Sequence, residues 1–298
     1  MQNKLDFENI NLQPINANWL PENILVDVLR LDKIHPVVSG NKWFKLKYYL
    51  ADAAEKGFDT LATFGGAYSN HIVAVAFACM EQGFKSIGII RGEMPAKPSP
   101  TLQNAADYGM QLQFVSRQIF KDKEQLKQQL NNIYWINEGG YGSLGVKGAG
   151  EIVDTVKDFK NYSHIICAVG TGTMFAGIAN NSGPGQTIIG ISVLKNNFSI
   201  NVEIQDLLDD KAMTGRLNIV HEYHFGGYAK HPPQLIDFMK ETWYDSHLPT
   251  DIVYSAKTFY ALRQLIMHDQ IPAGSKVLMI HSGGLQGNVS LQKGMLPF

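Results

Sequence analysis

Two lysines one helical turn apart, Lys42 and Lys45, are the residues of this sequence best suited to covalent chemistry. They lie in the segment SGNKWFKLK, where a glycine-asparagine pair leads into a predicted helix. A lysine forms a Schiff base only as a neutral amine, and burial and a helix N-terminus both disfavour its charged form. Lys45 could bind a phosphate as a point charge. The spacing alone is equally compatible with Lys42, Lys45 and Lys47 forming a solvated basic stripe.

A glycine-threonine loop, Gly170-Thr171-Gly172-Thr173-Met174, is the second candidate site. It follows an apolar run and opens a predicted helix over 173–180, so its backbone N–H groups and the helix dipole favour an anion. A dinucleotide fingerprint is incomplete, because Phe175 stands where its third glycine belongs, and no Walker A motif occurs. The loop therefore predicts a monophosphate site rather than a nicotinamide site, with an ordinary capped helix start as the alternative.

Glycine-rich loops recur at the ends of four predicted strands, at residues 65–70, 138–142, 170–173 and 281–284. Glycine is needed where the backbone closely approaches a ligand or takes a positive φ. In open α/β sheets, ligands bind beyond the carboxyl ends of the strands. One such loop would carry little weight, but four predict a shared ligand crevice.

Short β-branched runs alternate with amphipathic helical patterns along most of the chain. The predicted strands are 24–30, 60–64, 86–91, 112–115, 134–136, 164–169, 187–193, 217–220 and 276–280, and the predicted helices are 42–56, 71–82, 123–131, 151–159, 234–244 and 256–268. Alternation of this kind predicts an α/β fold with a mostly parallel twisted sheet and helices on both faces. No repeat or low-complexity linker occurs, so a second domain would have to be inserted into the first.

The composition indicates a globular protein with a small-molecule partner. Hydrophobic residues make up 45% of the chain, and 26 Lys and Arg nearly balance 27 Asp and Glu. Without a broad charged field, nucleic acid and anionic membranes are not expected as partners. Two separated cysteines, Cys79 and Cys167, predict neither a disulfide framework nor a metal site. The N-terminal residues have no apolar core typical of a signal peptide, so a cytoplasmic location is expected.

Five motifs in order, SGNKWFKLKYYL, TFGGAYSNH, VGTGTMFAGI, DIVYSAK and IHSGGLQGN, resemble the 1-aminocyclopropane-1-carboxylate deaminase/D-cysteine desulfhydrase family. The resemblance runs from about Leu29 to Asn288. It implies the tryptophan synthase β-like architecture of pyridoxal-phosphate enzymes of fold type II and a homodimer. The expected division is a large cofactor-binding domain of residues 1–48 and 145–298, with a smaller, substrate-gripping domain of residues 49–144 inserted into it.

The resemblance also implies a role for each matching residue in binding pyridoxal 5′-phosphate. Lys42 would be the Schiff-base lysine and the proton shuttle, and Asn70 would bond the 3′ oxygen of the cofactor. The phosphate would be held by Lys45 and by the backbone of Gly170, Thr171, Gly172, Thr173 and Met174.

A second group of matching residues would contact the amino-acid substrate. Ser69, Asn70 and His71 would bind its carboxylate at a helix start, with Ser69 also taking part in catalysis. Tyr254 and Tyr228 match the two active-site tyrosines, whose phenols can transfer protons. Without the motifs, ordinary core packing would explain both tyrosines.

Two serines separate this sequence from the deaminase branch and predict its reaction. Ser255 replaces a glutamate that contacts the pyridine nitrogen in that branch, and Ser282 replaces a leucine, whereas desulfhydrase-like members have hydroxyl residues at both positions. A carboxylate would keep the nitrogen protonated and the ring a strong electron sink, which cyclopropane opening requires. A hydroxyl leaves a weaker sink, which suffices for β-elimination to pyruvate and ammonia, with sulfide released from cysteine. Cyclopropane-acid deamination to 2-oxobutanoate and ammonia, and a non-catalytic ligand-binding relative, remain as alternatives.

Overall fold

The computed structural model describes residues 5–298 and contains two β-sheets, each covered by helices on both faces. In chain order the strands are β1 (Leu12–Pro14), β2 (Leu25–Arg30), β3 (Thr60–Gly66), β4 (Lys85–Arg91), β5 (Met110–Val115), β6 (Tyr134–Ile136), β7 (His164–Val169), β8 (Thr187–Ser192), β9 (Leu217–Val220) and β10 (Lys276–His281). The helices are α1 (Asn41–Glu55), α2 (Asn70–Gln82), α3 (Pro100–Asp107), α4 (Lys123–Gln128), α5 (Ser143–Gly150), α6 (Thr173–Asn180), α7 (Ile200–Gln205), α8 (Pro233–Ser246) and α9 (Ser255–Met267).

The larger sheet has six strands in the order β1-β2-β10-β7-β8-β9, and the smaller has four in the order β5-β4-β3-β6. Every pairing is parallel except that of β1 with β2. The predicted α/β class with mostly parallel strands is confirmed. The edge strand β1 was not predicted, because its three residues give too short a pattern.

Both faces of the large sheet are buried, which explains why its strands are continuous apolar runs. In β7, Ile165 and Cys167 pack on one face with α5 and α6, while Ile166 packs on the other with α8 and α9. Successive side chains of a strand point to opposite faces, so one run supplies both cores.

The small sheet is sandwiched in the same way. Leu61 and Ile90 pack against α1, α2 and α3, while Phe64 and Ile89 lie on the opposite face with Phe120 and α4. All strands of this sheet fall between residues 60 and 136. The proposed boundary between residues 48 and 49 lies inside α1, and the division into two domains stays a prediction.

The predicted helix 151–159 is wrong. The chain there forms two short 3-10 turns, separated by extended backbone at Val156 and a positive φ of 57° at Asp158. The helix of this region is α5, eight residues earlier, in the glycine-rich sequence SLGVKGAG. Glycine weakens a helix in isolation, but here it permits contact with α1 and α6: a Cβ on Gly148 would stand 1.8 Å from the Phe44 carbonyl oxygen.

Within residues 5–298, no helix combines the length and apolar character needed to cross a membrane. The N-terminal motif considered for a signal peptide lies partly in residues 1–4, outside the described residues.

Because α5 touches α1 backbone to backbone, Gly148→Ala should lower the free energy of unfolding by at least about 2 kcal/mol. Gly215→Ala is the matched control, since a Cβ there meets no atom within 4 Å, and its effect should stay within about 0.5 kcal/mol. Urea unfolding of the two variants measures the difference. Equal stability of both would contradict the tight α1–α5 contact.

Candidate functional site

A cavity of about 650 Å³ lies between the carboxyl ends of strands from the two sheets. All four glycine-rich loops contribute to its wall, through Gly66, Gly139, Gly170 and Ser282 among others. The structure therefore brings together the loops that the sequence placed at strand ends. It also brings them to the first two turns of α1, which carry the candidate lysines.

Gly40 places Lys42 at this cavity. Its φ of 64° and the lack of a side chain let the backbone touch the opposite loop, where a Cβ would come within 1.7 Å of the Ser282 carbonyl oxygen. That oxygen accepts a hydrogen bond from the Asn41 N–H at 3.2 Å. The helix therefore begins against the cavity wall, and Lys42 projects from its first turn.

The Lys42 amine is held in an environment that favours its neutral form. It donates to Asn41 Oδ1 at 2.7 Å and lies 5.8 Å from the centre of the Tyr254 ring. Burial lowers the pKa of Lys42 to about 8, partly offset by the charge of Asp251. At pH 7 roughly a tenth of the amine would be neutral, against well under a thousandth for an ordinary lysine. The surface-stripe alternative is ruled out for Lys42 and Lys45, which line the cavity, whereas Lys47 pairs with Glu151.

Lys45 and the glycine-threonine loop form a cradle for an anion. Lys45 is 6% exposed, and its Nζ donates to the Gly139 carbonyl oxygen at 3.2 Å. Burial, followed by the charge of the nearby Lys42, holds the pKa of Lys45 well below its usual value. A bound anion would stabilise the charged form of Lys45 and so raise this pKa again. Gly172 caps α6 in a left-handed conformation, and among residues 5–298 no side chain caps the first N–H groups of this helix.

Hydroxyl groups complete the cradle. Thr171 Oγ1 and Thr173 Oγ1 lie 3.1 Å apart at the start of α6, and Met174 is 3% exposed. Free backbone N–H groups, two hydroxyls and a buried lysine are the donors that bind phosphate in proteins. The residues present thus fit a phosphate ester that also carries an aldehyde for Lys42.

Ser69, Asn70 and His71 form the start of α2 on the facing wall of the cavity. Ser69 caps the helix by accepting from the Ile72 N–H at 3.4 Å, and Asn70 is 4% exposed. Gly65 makes this turn possible, because a Cβ there would lie 2.5 Å from Ile72. A helix start with polar side chains suits a carboxylate, although its assignment to the substrate remains a prediction.

His71 lies in an environment that favours its neutral form. Burial, then the charges of Lys42 and Lys45, lower the pKa of His71 to about 3. The Thr63 hydroxyl donates to the Ile136 carbonyl oxygen at 2.8 Å, so His71 Nε2, also 2.8 Å from that hydroxyl, carries the ring proton. His71 Nδ1 is then a buried acceptor without a partner in residues 5–298. In this tautomer Nδ1 can accept a hydrogen bond from an N–H or O–H group. To donate a hydrogen bond to a carboxylate, Nδ1 would have to carry the ring proton instead.

Tyr254 and Tyr228 meet at the cavity with ring centres 6.3 Å apart. Burial, then the neighbouring phenol of Tyr228, raises the pKa of Tyr254 well above its usual value. Desolvation also raises the pKa of Tyr228, although a hydrogen bond from Tyr254 opposes the shift. The Tyr228 hydroxyl donates to the Tyr68 carbonyl oxygen at 3.3 Å. Both phenols therefore keep their protons at neutral pH.

The two serines predicted to bind the cofactor lie in different environments. Ser282 lines the cavity, and no hydrogen bond engages its hydroxyl in the described part of the chain. Ser255 is 1% exposed and does not line the cavity. Its hydroxyl donates to Asp251 Oδ2 at 2.6 Å and accepts from the Asp251 N–H at 2.7 Å. Of the pair, only Ser282 has a hydroxyl available to a ligand.

Asp251 was missed in the sequence. This fully buried carboxylate accepts from the N–H groups of Val253, Tyr254 and Ser255 at 2.8 to 2.9 Å and so fixes Tyr254 at the start of α9. An aspartate shortly before an apolar helical pattern is a helix-start signal, which could have drawn attention to it. In residues 5–298, no group of three or more His, Cys, Asp and Glu could hold a metal.

Comparison with known proteins gives the same cofactor as the geometry. The sequence profile of the family described as pyridoxal-phosphate dependent enzyme matches residues 26–283. A putative 1-aminocyclopropane-1-carboxylate deaminase of Pyrococcus abyssi is 29% identical over 273 residues, covering 84% of this chain and 81% of that protein. The mitochondrial bifunctional D-cysteine desulfhydrase/1-aminocyclopropane-1-carboxylate deaminase of Arabidopsis thaliana is 29% identical over 91% of this chain and 75% of its own length.

Solved structures share the fold. A crystal structure of a homologue of 1-aminocyclopropane-1-carboxylate deaminase superposes with a TM-score of 0.79 at 24% identity, over 96% of this chain and 93% of the other. A hydrogen sulfide-producing enzyme of Fusobacterium nucleatum gives 0.67 at 15% identity, over 93% and 96%. The resemblance, the fold type and the cofactor inferred from the motifs are confirmed.

Since the Lys42 amine loses its proton near pH 8, the rate at which cofactor-free protein takes up pyridoxal phosphate covalently should depend on pH. The rate should rise about tenfold per unit below pH 7, less steeply as the pH approaches 8, and level off above about pH 9. Stopped-flow visible absorbance measures it, with a small lysine derivative as the control, whose rate keeps rising beyond pH 9. A protein rate that also keeps rising beyond pH 9 would show that the amine is not shifted.

Proposed function

This chain belongs to the family of pyridoxal-phosphate dependent enzymes, and we propose that it catalyses β-elimination on a small amino acid, as D-cysteine desulfhydrases do. The products would be pyruvate, ammonia and the β-substituent, which is sulfide when the substrate is cysteine. Membership of that family makes the chain an enzyme, and the names of relatives at 29% identity, 1-aminocyclopropane-1-carboxylate deaminase and D-cysteine desulfhydrase, support a small amino acid as its substrate. The non-catalytic alternative is therefore set aside.

Bound pyridoxal phosphate supplies an aldehyde for the lysine amine and a ring that draws electrons from the α-carbon of the substrate. Lys45, the backbone of residues 170–174 and the hydroxyls of Thr171 and Thr173 would hold the phosphate. Asn70 lies on the opposite wall, where its amide could bond a ring oxygen.

Lys42 would act as the base that removes the α-proton. Its lowered pKa gives a substantial neutral fraction near pH 8, where an ordinary lysine is almost entirely charged. Once the amine has accepted the proton, the charge of nearby Asp251 stabilises the ammonium. Ser69, Asn70 and the first N–H groups of α2 would hold the substrate carboxylate and so fix which face of the α-carbon meets Lys42.

Tyr254 and Tyr228 would donate a proton to the leaving group rather than remove one. Both have pKa values above the usual phenol value, so each keeps its hydrogen at neutral pH. Asp251 fixes the backbone of Tyr254 by accepting its N–H at 2.8 Å. The buried Lys257 holds the loop of Tyr228 by donating from Nζ to the Gly227 carbonyl oxygen at 2.6 Å.

The observation that favours β-elimination is the free hydroxyl of Ser282 on the cavity wall, together with a serine rather than a carboxylate at position 255. A hydroxyl donates to an unprotonated ring nitrogen and stabilises little charge there, whereas a carboxylate would keep it protonated. Elimination of sulfide or chloride tolerates the weaker electron sink, and ring opening does not. The Ser255 hydroxyl already donates its hydrogen to Asp251. Ser282 is therefore the serine proposed to donate a hydrogen bond to the ring nitrogen.

The cyclopropane-acid deaminase reaction is the second candidate, favoured by the names of the relatives from Pyrococcus abyssi and Arabidopsis thaliana. A homodimer is also proposed, on the family resemblance.

A substrate panel separates the two reactions. Purified enzyme should form pyruvate from D-cysteine or β-chloro-D-alanine at least about tenfold faster than 2-oxobutanoate from the cyclopropane acid, with D- and L-serine included to determine stereochemistry. Ser282→Ala should lower kcat for elimination by up to about tenfold, the effect of one lost hydrogen bond between neutral groups, with KM nearly unchanged. Lys42→Ala is the inactive control. Turnover of the cyclopropane acid alone would contradict β-elimination.

A further inference from the structure

Two arginines, Arg91 and Arg117, line the same cavity but have no part in the roles described so far. Arg91 ends β4 and Arg117 follows β5, so both lie at the carboxyl ends of neighbouring strands of the small sheet. Both are exposed toward the cavity mouth, and in residues 5–298 neither forms an ion pair. Two unpaired guanidinium groups at a ligand cavity are suited to an anion.

Arg91 is held beside the residues proposed to grip the substrate. Its Nη2 lies 3.6 Å from the position that a Cβ of Gly66 would occupy, at the start of the loop leading to Ser69. Its guanidinium lies 5.6 Å from the centre of the Phe120 ring, which restricts the side chain. Its charge also opposes the rise in the pKa of Tyr228. Arg91 therefore lies between the carboxylate-binding loop and a proposed proton donor.

The anions required by the proposed function already have binding groups. The cofactor phosphate has Lys45 and the start of α6, and the substrate carboxylate has the start of α2. The acids that line the cavity do not neutralise the arginines: Glu138 pairs with Lys123 at 2.6 Å, and Glu203 accepts the Ser199 hydroxyl at 3.1 Å. Positive charge at the mouth is thus left for a third anionic group.

We propose that Arg91 and Arg117 bind an anionic β-substituent of the substrate, so that the preferred substrates are amino acids whose leaving group is held as a phosphate or sulfate ester. The proposal rests on the proposed β-elimination. With a phosphate ester, Lys42 takes the α-proton, the C–H electron pair forms the Cα–Cβ double bond, and the Cβ–O bond breaks with both electrons leaving on phosphate. Addition of one water to the unsaturated amine then gives pyruvate and ammonia, and no oxidant or reductant is needed.

Turnover of a charged and a neutral substrate tests this assignment. For the wild-type enzyme at low ionic strength, kcat/KM for O-phosphoserine should exceed that for β-chloroalanine of the same hand, and salt should reduce only the former. Arg91→Gln should lower kcat/KM for O-phosphoserine at least tenfold and that for β-chloroalanine less than threefold, and Arg117→Gln should act in the same direction. Lys121→Gln, at an exposed residue outside the cavity, is the charge-matched control.

A binding measurement keeps this proposal separate from the reaction. Aspartate and asparagine are nearly isosteric, and aspartate places a carboxylate where the leaving group would lie. By calorimetry, the wild-type holoenzyme should bind aspartate at least tenfold more tightly than asparagine of the same hand, and Arg91→Gln should abolish the difference.

The outcomes distinguish the two proposals. Selective binding of aspartate without turnover of any β-substituted amino acid would support the anion site and contradict β-elimination. Equal binding of aspartate and asparagine would overturn the anion site, even if β-chloroalanine is turned over. An equal fall in kcat/KM for O-phosphoserine and β-chloroalanine in Arg91→Gln would also overturn the anion site, because Arg91 would then contact the α-carboxylate that all substrates share.

Discussion

The backbone contact between Gly40 and the loop of Ser282 and Gly283 determines where the reactive amine lies. Neither glycine can be replaced without a clash, since a Cβ on Gly40 would stand 1.7 Å from the Ser282 oxygen and one on Gly283 would stand 2.4 Å from Ser39 Oγ. This contact joins the start of α1 to the end of β10. It sets Lys42 at the point where the carboxyl ends of the two sheets meet, and the cavity chemistry follows from that position.

The pKa shifts of the groups around the cavity are caused mainly by burial. The same desolvation lowers the pKa of Lys42 and His71 and raises that of Tyr254, so a base, a neutral ring and a protonated phenol coexist in one cavity. Asp251 acts in the opposite direction on Lys42, because its buried charge opposes the lowering of the Lys42 pKa. Its carboxylate also accepts the Tyr254 N–H and so fixes the position of Tyr254. A cluster of shifted groups in a cavity is typical of an active site.

The fold class could be predicted because the alternation of strand and helix patterns survives in a single sequence. The cavity loops could be predicted because glycine at a strand end has a local cause, namely a tight turn or a close backbone approach. Helix α5 could not, since SLGVKGAG has low helix propensity and its stability comes from packing on α1 and α6.

Other features of the site depend on distances between residues far apart in the chain. The ring proton of His71 is determined by a hydroxyl that also bonds Ile136, and the engagement of the Ser255 hydroxyl is determined by Asp251. No sequence spacing shows that Arg91 lies against Gly66. The motifs thus identified which residue types meet at the cavity, and the structure shows which of their atoms are free.

The covalent role of Lys42 is tested most directly by reducing the holoenzyme with borohydride and mapping the modified lysine by peptide mass spectrometry. The phosphopyridoxyl group should be found on Lys42 in nearly all of the protein, with the cofactor lost from a Lys42→Ala variant and retained by Lys47→Ala. A label found mainly on Lys45 or Lys257 would contradict the assignment of Lys42 as the reactive amine, and with it the chemistry derived from its position.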